Sequence, residues 1–375
     1  DRVKATGLPL IYAHLVGGQD EVVFDGGSFA LNANGDLVAR ADSFKEKLLY
    51  IGVNNASNTE LTIVNTASTA IDLIVNEVNG KKDEIAPLRS DEADLWGALV
   101  LGIRDYLGKN GFPGAILGLS GGIDSALVLA LAVDALGKDK VRAVMMPSPY
   151  TADISWIDAS EMAKRMGVRY DEISIVPEFE AFKKSLASEF AGLKEDTTEE
   201  NIQARIRGTL LMALSNKFGS MVLTTGNKSE MATGYCTLYG DMAGGFAAIK
   251  DIAKTTVFKL CLWRNQNDPN GTGSNPIPER IITRPPSAEL RADQKDQDSL
   301  PPYEVLDAIL ERYMENDQSI TEILAAGFAP ADVQRVTHLI KINEHKRRQA
   351  PIGIRVTHRS FGKDWRYPIT SKFRA

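Results

Sequence analysis

Residues 120–125, which read Ser-Gly-Gly-Ile-Asp-Ser, combine the side chains and the backbone freedom that a phosphate site needs. Two adjacent glycines let successive N–H groups converge on an anion, and a following helix would add the positive end of its dipole. Ser120 and Ser125 supply hydroxyl groups, and Asp124 supplies a carboxylate of the kind that holds Mg²⁺. No Gly-Lys-Ser or Gly-Lys-Thr occurs in the chain, so this is not the lysine-bearing P-loop. A plain capped strand-to-helix turn is the weaker alternative.

A second group of polar residues follows the apolar run at residues 221–225. Thr225 and Gly226 come at the end of this predicted strand, and Glu230 follows four residues later. If the strand is parallel to the one before the glycine loop, Glu230 lies at the same sheet edge as Asp124. Two carboxylates that face one phosphate chain favour Mg²⁺. Taken alone, Glu230 is equally explained as the acidic first turn of a capped helix.

Three further segments carry side chains that could contact a nucleotide. Lys254 is a compact charge suited to phosphate, although a lysine on a helix is by default solvated. The sequence Arg-Pro-Pro-Ser at residues 284–287 predicts a rigid turn before Ser287. The polar residues 293–296 that follow could be a mobile cover for the site or a solvated connector. The dense positive charge of residues 344–349 is typical of a solvated face.

Strand-like and helix-like segments alternate through the middle of the chain, which predicts an α/β fold with a doubly wound parallel sheet and flanking helices. Ligands bind such sheets outside the carboxyl ends of the strands, so Pro147, Ser148, Thr225 and Gly226 should line one crevice with residues 120–125. The predicted strands are residues 115–119, 141–146, 170–175 and 221–225, and the predicted helices are residues 126–136, 158–166, 202–216, 303–314 and 332–343.

The first part of the chain shows shorter strand patterns, and an Asn-Gly turn at residues 34–35 predicts a hairpin. About fifty residues with one hairpin bury too little surface to fold alone, so residues 1–53 should be the remnant of a larger domain. Residues 54–86 are rich in polar residues towards their start and are predicted to be a linker. A helical repeat from Leu95 to Leu107 indicates that a second domain occupies residues 87–375.

The composition argues against several classes of protein. A net charge of −6 gives no basic footprint for nucleic acid. Cys236 and Cys261 make no disulfide framework, and with four histidines they offer no zinc spacing, which favours a reducing cytoplasm. No apolar segment is long enough to span a bilayer. We therefore expect a cytoplasmic protein with no nucleic-acid or membrane partner. Because the chain begins at Asp1 without methionine, we expect its natural N terminus to lie upstream.

Taken in order, these segments resemble NAD⁺ synthetase, specifically the bacterial glutamine-dependent form. Residues 120–125 are similar to the pyrophosphate loop, Ser-Gly-Gly-x-Asp-Ser, of ATP-splitting amidases and synthetases. The resemblance runs from about residue 87 to the end, through residues 120–125, 225–230, 239–241, 250–255, 287–290 and 345–349. Residues 17–26 look like the closing part of the nitrilase-like glutaminase domain of that family. The implied fold is adenine nucleotide alpha-hydrolase-like, a pyrophosphate-loop ATPase, preceded by a remnant of an α/β nitrilase-like domain.

The resemblance implies ATP-dependent amidation of deamido-NAD⁺ to NAD⁺ through an acyl-adenylate, with Mg²⁺ as cofactor and AMP and pyrophosphate as products. It also implies a homodimer or higher homo-oligomer. The implied ATP-binding residues are Gly118, Leu119, Ser120, Gly121, Gly122, Ile123, Asp124, Ser125, Thr225, Lys254 and Ser287. The implied deamido-NAD⁺-binding residues are Asn201, Glu230, His345 and Lys346, the catalytic residues Asp124 and Lys254, and the metal ligands Asp124 and Glu230. Whether Glu230 serves the metal or the dinucleotide is left open.

The chain departs from that family in one respect. The family's glutaminase uses a Glu, Lys and Cys triad upstream of this segment, and both cysteines here fall within the synthetase region. We therefore expect this chain to use free ammonia, whereas the intact protein would draw ammonia from glutamine. GMP synthetase shares the loop but leaves residues 239–241 and 345–349 unexplained. The alternative of a non-catalytic adenine-nucleotide binding module does not explain why Glu230, Lys254 and Ser287 occur together.

Overall fold

The computed structural model describes residues 1–49, 51–53, 61–63, 85–291 and 294–371. The strands are β1 (Leu10–Tyr12), β2 (Val16–Gln19), β3 (Val22–Asp25), β4 (Phe29–Leu31), β5 (Leu37–Arg40), β6 (Ile51–Val53), β7 (Leu61–Ile63), β8 (Ala115–Gly118), β9 (Val141–Met145), β10 (Arg169–Glu172), β11 (Met221–Thr224) and β12 (Phe246–Ala247). The helices are α1 (Arg2–Thr6), α2 (Asp91–Lys109), α3 (Ile123–Leu136), α4 (Asp153–Met166), α5 (Val176–Leu186), α6 (Thr197–Phe218), α7 (Lys228–Thr233), α8 (Lys254–Gln266), α9 (Glu279–Thr283), α10 (Tyr303–Leu310), α11 (Ile320–Ala325), α12 (Pro330–Ile342) and α13 (Glu344–Arg347). Short 3₁₀ turns lie at Lys138–Lys140 and Asp296–Asp298, and a π-helical turn at Glu311–Glu315 extends α10.

A five-stranded sheet in the order β10-β9-β8-β11-β12 forms the centre of the fold, and each neighbouring pair is parallel. Side chains alternate between its two faces, as the period of a strand requires. Ala115 and Leu117 of β8 pack with α2, α3, α4 and α8, whereas Ile116 packs with α5 and α6. Helices thus cover both faces of the sheet, and the predicted doubly wound α/β fold is confirmed.

A second apolar core lies beside the sheet and joins the C-terminal helices to the segment after β11. Met231 and Ala232 of α7 belong to it together with Leu306 of α10, Ile323 of α11 and Val336 of α12. Because α7 follows β11 directly, this core fixes the helix that carries Glu230 against the C-terminal part of the chain.

The N-terminal segment forms an antiparallel sheet in the order β1-β4-β5, and the predicted hairpin is its β4–β5 pair. A second hairpin, β2–β3, was not predicted and packs against α2. Gly18 makes this close approach possible: a Cβ on it would lie 3.2 Å from the Gly102 Cα, and its N–H donates to Asp105 Oδ2 at 2.8 Å. The predicted linker at residues 54–86 lies outside the described residues except for 61–63 and 85–86. The proposed domain boundaries stay predictions.

The predicted central strands and helices are confirmed to within a few residues at most ends. Helix α5 and strand β12 were not predicted, and α8 was predicted only as a helix that carries Lys254, without bounds. Residues 170–175 were predicted as a strand; β10 ends at Glu172, and the Ile173 N–H still donates to the Met145 carbonyl of β9 at 2.9 Å. Both cysteines are free thiols. Within the described parts of the chain, no helix is both long and apolar enough to cross a bilayer.

Candidate active site

A cavity of about 280 Å³ opens at the carboxyl ends of β8 and β11. These two strands are neighbours in the sheet. The chain continues from β8 to β9 on one side and from β11 to β12 on the other side, so the topological switch point of the sheet lies between β8 and β11. Folds of this type bind ligands at that point. Pro147 and Ser148 were expected to line it and do not, since the Ser148 N–H and hydroxyl turn to Thr151. The predicted residues that line it are Gly118, Leu119, Ser120, Gly122, Ile123, Asp124, Ser125, Thr225, Gly226, Glu230, Lys254 and Ser287.

The glycine loop is held in shape by its own two hydroxyl groups. The buried Ser125 hydroxyl donates to the Gly122 carbonyl at 3.0 Å and accepts from the Ser120 N–H at 3.2 Å. Ser120 Oγ in turn accepts from the Gly122 N–H at 3.2 Å. Gly122 is also the N-cap of α3 and has no side chain to cap the first turn. The helix N-terminus therefore faces the cavity in the way that suits a phosphate.

Gly121 is the loop position at which no other residue fits. Its φ is +78°, and a Cβ on it would lie 2.3 Å from the Ser155 carbonyl oxygen of α4. We expect Gly121→Ala to displace the loop, lowering the melting temperature and weakening ATP binding, measured by calorimetry, by about tenfold or more. Gly137→Ala is the matched control, because its φ is +82° but its added Cβ would meet nothing within 4 Å. Equal effects in both variants would mean that backbone strain alone, and not the collision, decides the outcome.

Lys254, Asp124 and Glu230 form the charged centre of the cavity. Lys254 is the first residue of α8, and its Nζ lies 2.5 Å from Asp124 Oδ2 and 3.4 Å from Glu230 Oε1. The lysine side chain is 2% exposed, whereas each carboxylate side chain is 17% exposed and borders the cavity. The two carboxylates thus remain accessible to a ligand while they hold the ammonium group in place.

Residues of α7 and its N-cap orient this charged centre. Asn227 accepts from the Glu230 N–H at 3.0 Å and donates from Nδ2 to Asp124 Oδ1 at 2.8 Å. Ser229 Oγ accepts from the Lys254 N–H at 2.9 Å. The sequence analysis gave Asn227 and Ser229 no role, although an Asn three residues before a Glu is the pattern of a capping box.

Asp296 and Tyr303 complete the site, and the sequence analysis missed both as site residues. Asp296 is 3% exposed, and its Oδ2 accepts from the Tyr303 hydroxyl at 2.7 Å. Asp296 borders the cavity, and its Oδ1 is buried with no hydrogen-bond partner in the described part of the chain. Lys254 Nζ lies 5.2 Å from the centroid of the Tyr303 ring, a cation–π distance. A single sequence carries no signal for such contacts between distant segments.

The charged centre has more carboxylates than cations, and this imbalance shifts the pKa values of its side chains. Burial, followed by repulsion from Asp124, raises the pKa of Glu230 to about 8, although Lys254 opposes the shift. Burial also raises the pKa of Asp296. Burial lowers the pKa of Lys254, but the attraction of Asp124 and Glu230 outweighs it, so that its pKa is raised. An additional positive charge would therefore be stabilised here.

Stability should depend on pH through Glu230. Its pKa is about 8 in the folded chain against 4.5 for an ordinary Glu, so between these values the folded state binds more protons than the unfolded state. The free energy of unfolding should then fall as pH rises from about 4.5 to about 8 and level off above that range. Glu230→Gln should flatten this part of the slope in denaturant melts taken across the range. Asp241, whose pKa burial raises to about 6, titrates in the same direction and should leave a residual slope up to about pH 6. An unchanged slope in the variant would contradict this assignment.

The donor set fits Mg²⁺. Asp124 and Glu230 present carboxylate oxygens to the cavity, and Mg²⁺ is usually bound by one or two carboxylates together with substrate phosphates. Among the described residues, no three His, Cys, Asp or Glu side chains form a ready metal cluster. Phosphate oxygens and water would complete the coordination, and the metal role of Asp124 and Glu230 stays a prediction.

Residues 284–290 border the cavity and form a tethered segment, here called the strap. Glu289, at φ +49°, accepts from the Ser155 hydroxyl at 2.5 Å, and Arg284 Nη2 donates to the Gly121 carbonyl at 3.2 Å. Ser287 Oγ borders the cavity and donates to the Gln294 carbonyl at 2.6 Å. The predicted cover at residues 293–296 is described only from Gln294, since residue 293 lies outside the described residues.

Three residues predicted to bind the dinucleotide do not border this cavity. Asn201 accepts from the Thr237 hydroxyl at 2.7 Å. His345 is exposed, and Lys346 Nζ donates to the Cys236 carbonyl at 2.8 Å. The proposed role of these three residues in binding the dinucleotide stays a prediction, because the cavity lining does not include them.

Comparison with known proteins agrees with this geometry. Residues 95–350 match the family model described as NAD synthase. The chain belongs to the NAD synthase family. It is 50% identical over 371 residues to the glutamine-dependent NAD(+) synthetase of Acinetobacter baylyi, which covers 99% of this chain and 64% of that relative.

Two solved structures of NAD synthetases extend the family comparison. The glutamine-dependent NAD⁺ synthetase of Acinetobacter baumannii in complex with ADP is 46% identical with a TM-score of 0.67, covering 98% of this chain and 63% of that one. The NH3-dependent NAD synthetase of Campylobacter jejuni is 27% identical with a TM-score of 0.55, covering 69% of this chain and 96% of that one. The chain therefore spans about two thirds of the length of its glutamine-dependent relatives, and nearly all of the NH3-dependent fold lies within it.

Proposed function

We propose that this chain catalyses the ATP-dependent amidation of deamido-NAD⁺ to NAD⁺ with ammonia as the nitrogen source. The observation that carries the proposal is the buried Lys254 ammonium group, which lies between Asp124 and Glu230 beside the glycine loop. A loop that only bound a nucleotide would not need a desolvated lysine held by two carboxylates. Membership of the NAD synthase family and the ADP bound to the Acinetobacter baumannii relative support an adenine nucleotide as a ligand of this cavity.

The residues divide the chemistry as follows. The loop and the N-terminus of α3 bind the β- and γ-phosphates and leave the α-phosphorus open to attack. The substrate carboxylate attacks that phosphorus, pyrophosphate leaves, and ammonia then displaces AMP from the acyl-adenylate and loses a proton. Lys254 neutralises negative charge on the departing pyrophosphate oxygen. Mg²⁺ held by Asp124 and Glu230 would supply further neutralisation of phosphate charge.

The two cysteines support ammonia rather than glutamine as the direct nitrogen source. Burial raises the pKa of the Cys236 thiol to about 12, and it raises the pKa of the Cys261 thiol well above its ordinary value. A nucleophilic cysteine needs a thiolate, which neither environment favours. We therefore infer that neither cysteine hydrolyses glutamine.

The test is the formation of NAD⁺ and AMP from deamido-NAD⁺ and Mg-ATP with either ammonium chloride or glutamine. We expect equal amounts of NAD⁺ and AMP with ammonium, and neither NAD⁺ nor glutamate with glutamine alone. Turnover with glutamine would overturn the inference on the cysteines. ATP binding without AMP release under both conditions would favour the non-catalytic nucleotide-binding module.

The homodimer is a separate prediction, checked by sedimentation at several protein concentrations.

A further inference from the structure

Arg207 differs from the other two cations that border the cavity. Lys254 is paired with carboxylates, and Arg284 contacts the Gly121 carbonyl and lies 3.7 Å from Glu289. Arg207, on α6, donates only from Nε, to the Met146 carbonyl at 3.0 Å. In the described part of the chain, its two terminal nitrogens have no hydrogen-bond partner and no carboxylate within ion-pair distance.

The environment of Arg207 leaves its charge uncompensated. Burial lowers the pKa of its guanidinium to about 10, against the weaker attraction of Glu289 and Asp241. Both of these carboxylates have other partners: Asp241 accepts from the Thr237 N–H at 2.8 Å, and Glu289 accepts from the Ser155 hydroxyl. Arg207 is half-buried at the cavity, and a partly desolvated arginine without a bonded counter-ion is costly, so an anionic ligand would reduce that cost.

The position of Arg207 indicates which anion this is. Glu289 belongs to the strap that carries Ser287, which is proposed to contact ATP. Asp241 belongs to residues 239–241, one of the segments on which the resemblance to the synthetase rests. Arg207 lies within electrostatic reach of both segments, in the same cavity as the glycine loop.

We propose that Arg207 binds the α-phosphoryl group of ATP, with its two terminal nitrogens on the phosphoryl oxygens, and so presents the α-phosphorus to the substrate carboxylate. This rests on the proposed function. In the step concerned, a carboxylate oxygen forms a bond to the α-phosphorus while the bond to the bridging oxygen of pyrophosphate breaks, and pyrophosphate leaves with that electron pair. The planar guanidinium can follow the phosphoryl oxygens through this step and still bind them in the acyl-adenylate.

A purely structural role would have a different signature. The Nε hydrogen bond to the Met146 carbonyl ties α6 to the end of β9, and its loss would lower stability without singling out one phosphate. Comparing AMP with adenosine isolates the α-phosphoryl group, because the two ligands differ only there. The ratio of their affinities is therefore insensitive to a general loosening of the nucleoside site.

The experiment measures AMP and adenosine binding by calorimetry with the full chain and its variants. The wild-type chain should bind AMP more tightly than adenosine, and Arg207→Gln should reduce that preference by about tenfold or more. Arg207→Lys keeps the positive charge but loses the planar guanidinium that can donate two hydrogen bonds to one phosphoryl group, so it should retain part of the preference for AMP. Arg205→Gln is the matched control: its Nε also donates to a backbone carbonyl, that of Leu238, but it does not border the cavity and should keep the wild-type preference.

The outcomes separate this inference from the proposed function. If the wild-type chain prefers AMP and both Arg207 variants keep that preference in full, the assignment of Arg207 is overturned and the proposed function is untouched. If the wild-type chain shows no preference for AMP, the cavity does not hold an α-phosphoryl group, and both the inference and the proposed nucleotide site fail. A lower melting temperature in Arg207→Gln with an unchanged AMP preference would assign Arg207 to the structural role and overturn the inference.

Discussion

Replacing Asp124 with asparagine is expected to lower kcat/KM for ammonia-dependent NAD⁺ formation by about a hundredfold or more, while the chain keeps its fold. Asparagine has nearly the same shape and can still accept the hydrogen bond that Asn227 Nδ2 donates to Oδ1 at 2.8 Å. What is lost is one negative charge that borders the cavity and contacts Lys254 at 2.5 Å. Preorganised charges at the reacting phosphates contribute most where water is excluded, so a large kinetic effect should accompany a small structural one.

The measurement is the steady-state rate over a range of ATP concentrations at saturating ammonium, which gives kcat/KM for ATP, with circular dichroism and a thermal melt to check folding. Asp139→Asn is a matched control, because Asp139 is exposed in the turn that follows the far end of the same helix, α3. That variant should retain full activity. Activity close to wild type in Asp124→Asn would exclude Asp124 from the mechanism, and a comparable loss in Asp139→Asn would show that the effect is not specific to the cavity.

The elements that the sequence predicted well are those whose signals are local. The apolar run of β8, the two glycines and the apolar α3 follow one another within 22 residues, from Ala115 to Leu136, and each has a recognisable pattern. Their parallel alternation with the next strands was sufficient to predict the sheet and the edge at which residues 120–125 and Glu230 meet. The strand–loop–helix unit could thus be read from sequence because its contacts are short in range.

Helix α8, which carries the proposed catalytic lysine, was predicted only as a lysine-bearing helix without bounds. Both ends of α8 carry a buried charged residue. Lys254 is 1% exposed, and Arg264 is fully buried and forms an ion pair with Asp134. A helix whose cations are buried shows no clean polar stripe, so its hydrophobic period is hidden. The partner of Arg264 lies 130 residues away, as does Asp124 from Lys254, and such pairings cannot be seen in a single sequence.

The proposed dinucleotide role of Asn201, His345 and Lys346 stays a prediction, and none of these three residues borders the cavity. Lys346 is held by backbone carbonyl groups, and Asn201 is bonded to Thr237, so both side chains are engaged away from the cavity. By contrast, Asp296 and Arg207 border the cavity with polar atoms that have no partner in the described residues. No sequence pattern marked Arg207, and Asp296 was noted only as part of the polar segment 293–296. Unsatisfied buried groups are visible only in three dimensions.

Replacing Lys254 with methionine is expected to lower NAD⁺ formation by about a hundredfold or more and also to change the pH dependence of stability. Methionine fills much of the same volume but leaves Asp124, Glu230 and Asp296 without the ammonium group between them. Since Lys254 lowers the pKa of Glu230, its loss should raise that pKa further, so the fall in the free energy of unfolding should extend to higher pH than in the wild type. Lys259→Met is the control, because Lys259 is exposed on the same helix, α8, and does not border the cavity, so its turnover should stay within a few-fold of wild type.

The double variant Asp124→Asn with Lys254→Met tests whether the two residues act as one unit. If the carboxylate's main task is to hold the ammonium group against the phosphates, the double variant should be no slower than Lys254→Met alone, because the pair's contribution is already lost. If the losses multiply instead, Asp124 acts on the phosphates independently of Lys254. That second result would favour a direct ligand role for Asp124, as expected if Asp124 and Glu230 would hold Mg²⁺ against the phosphates.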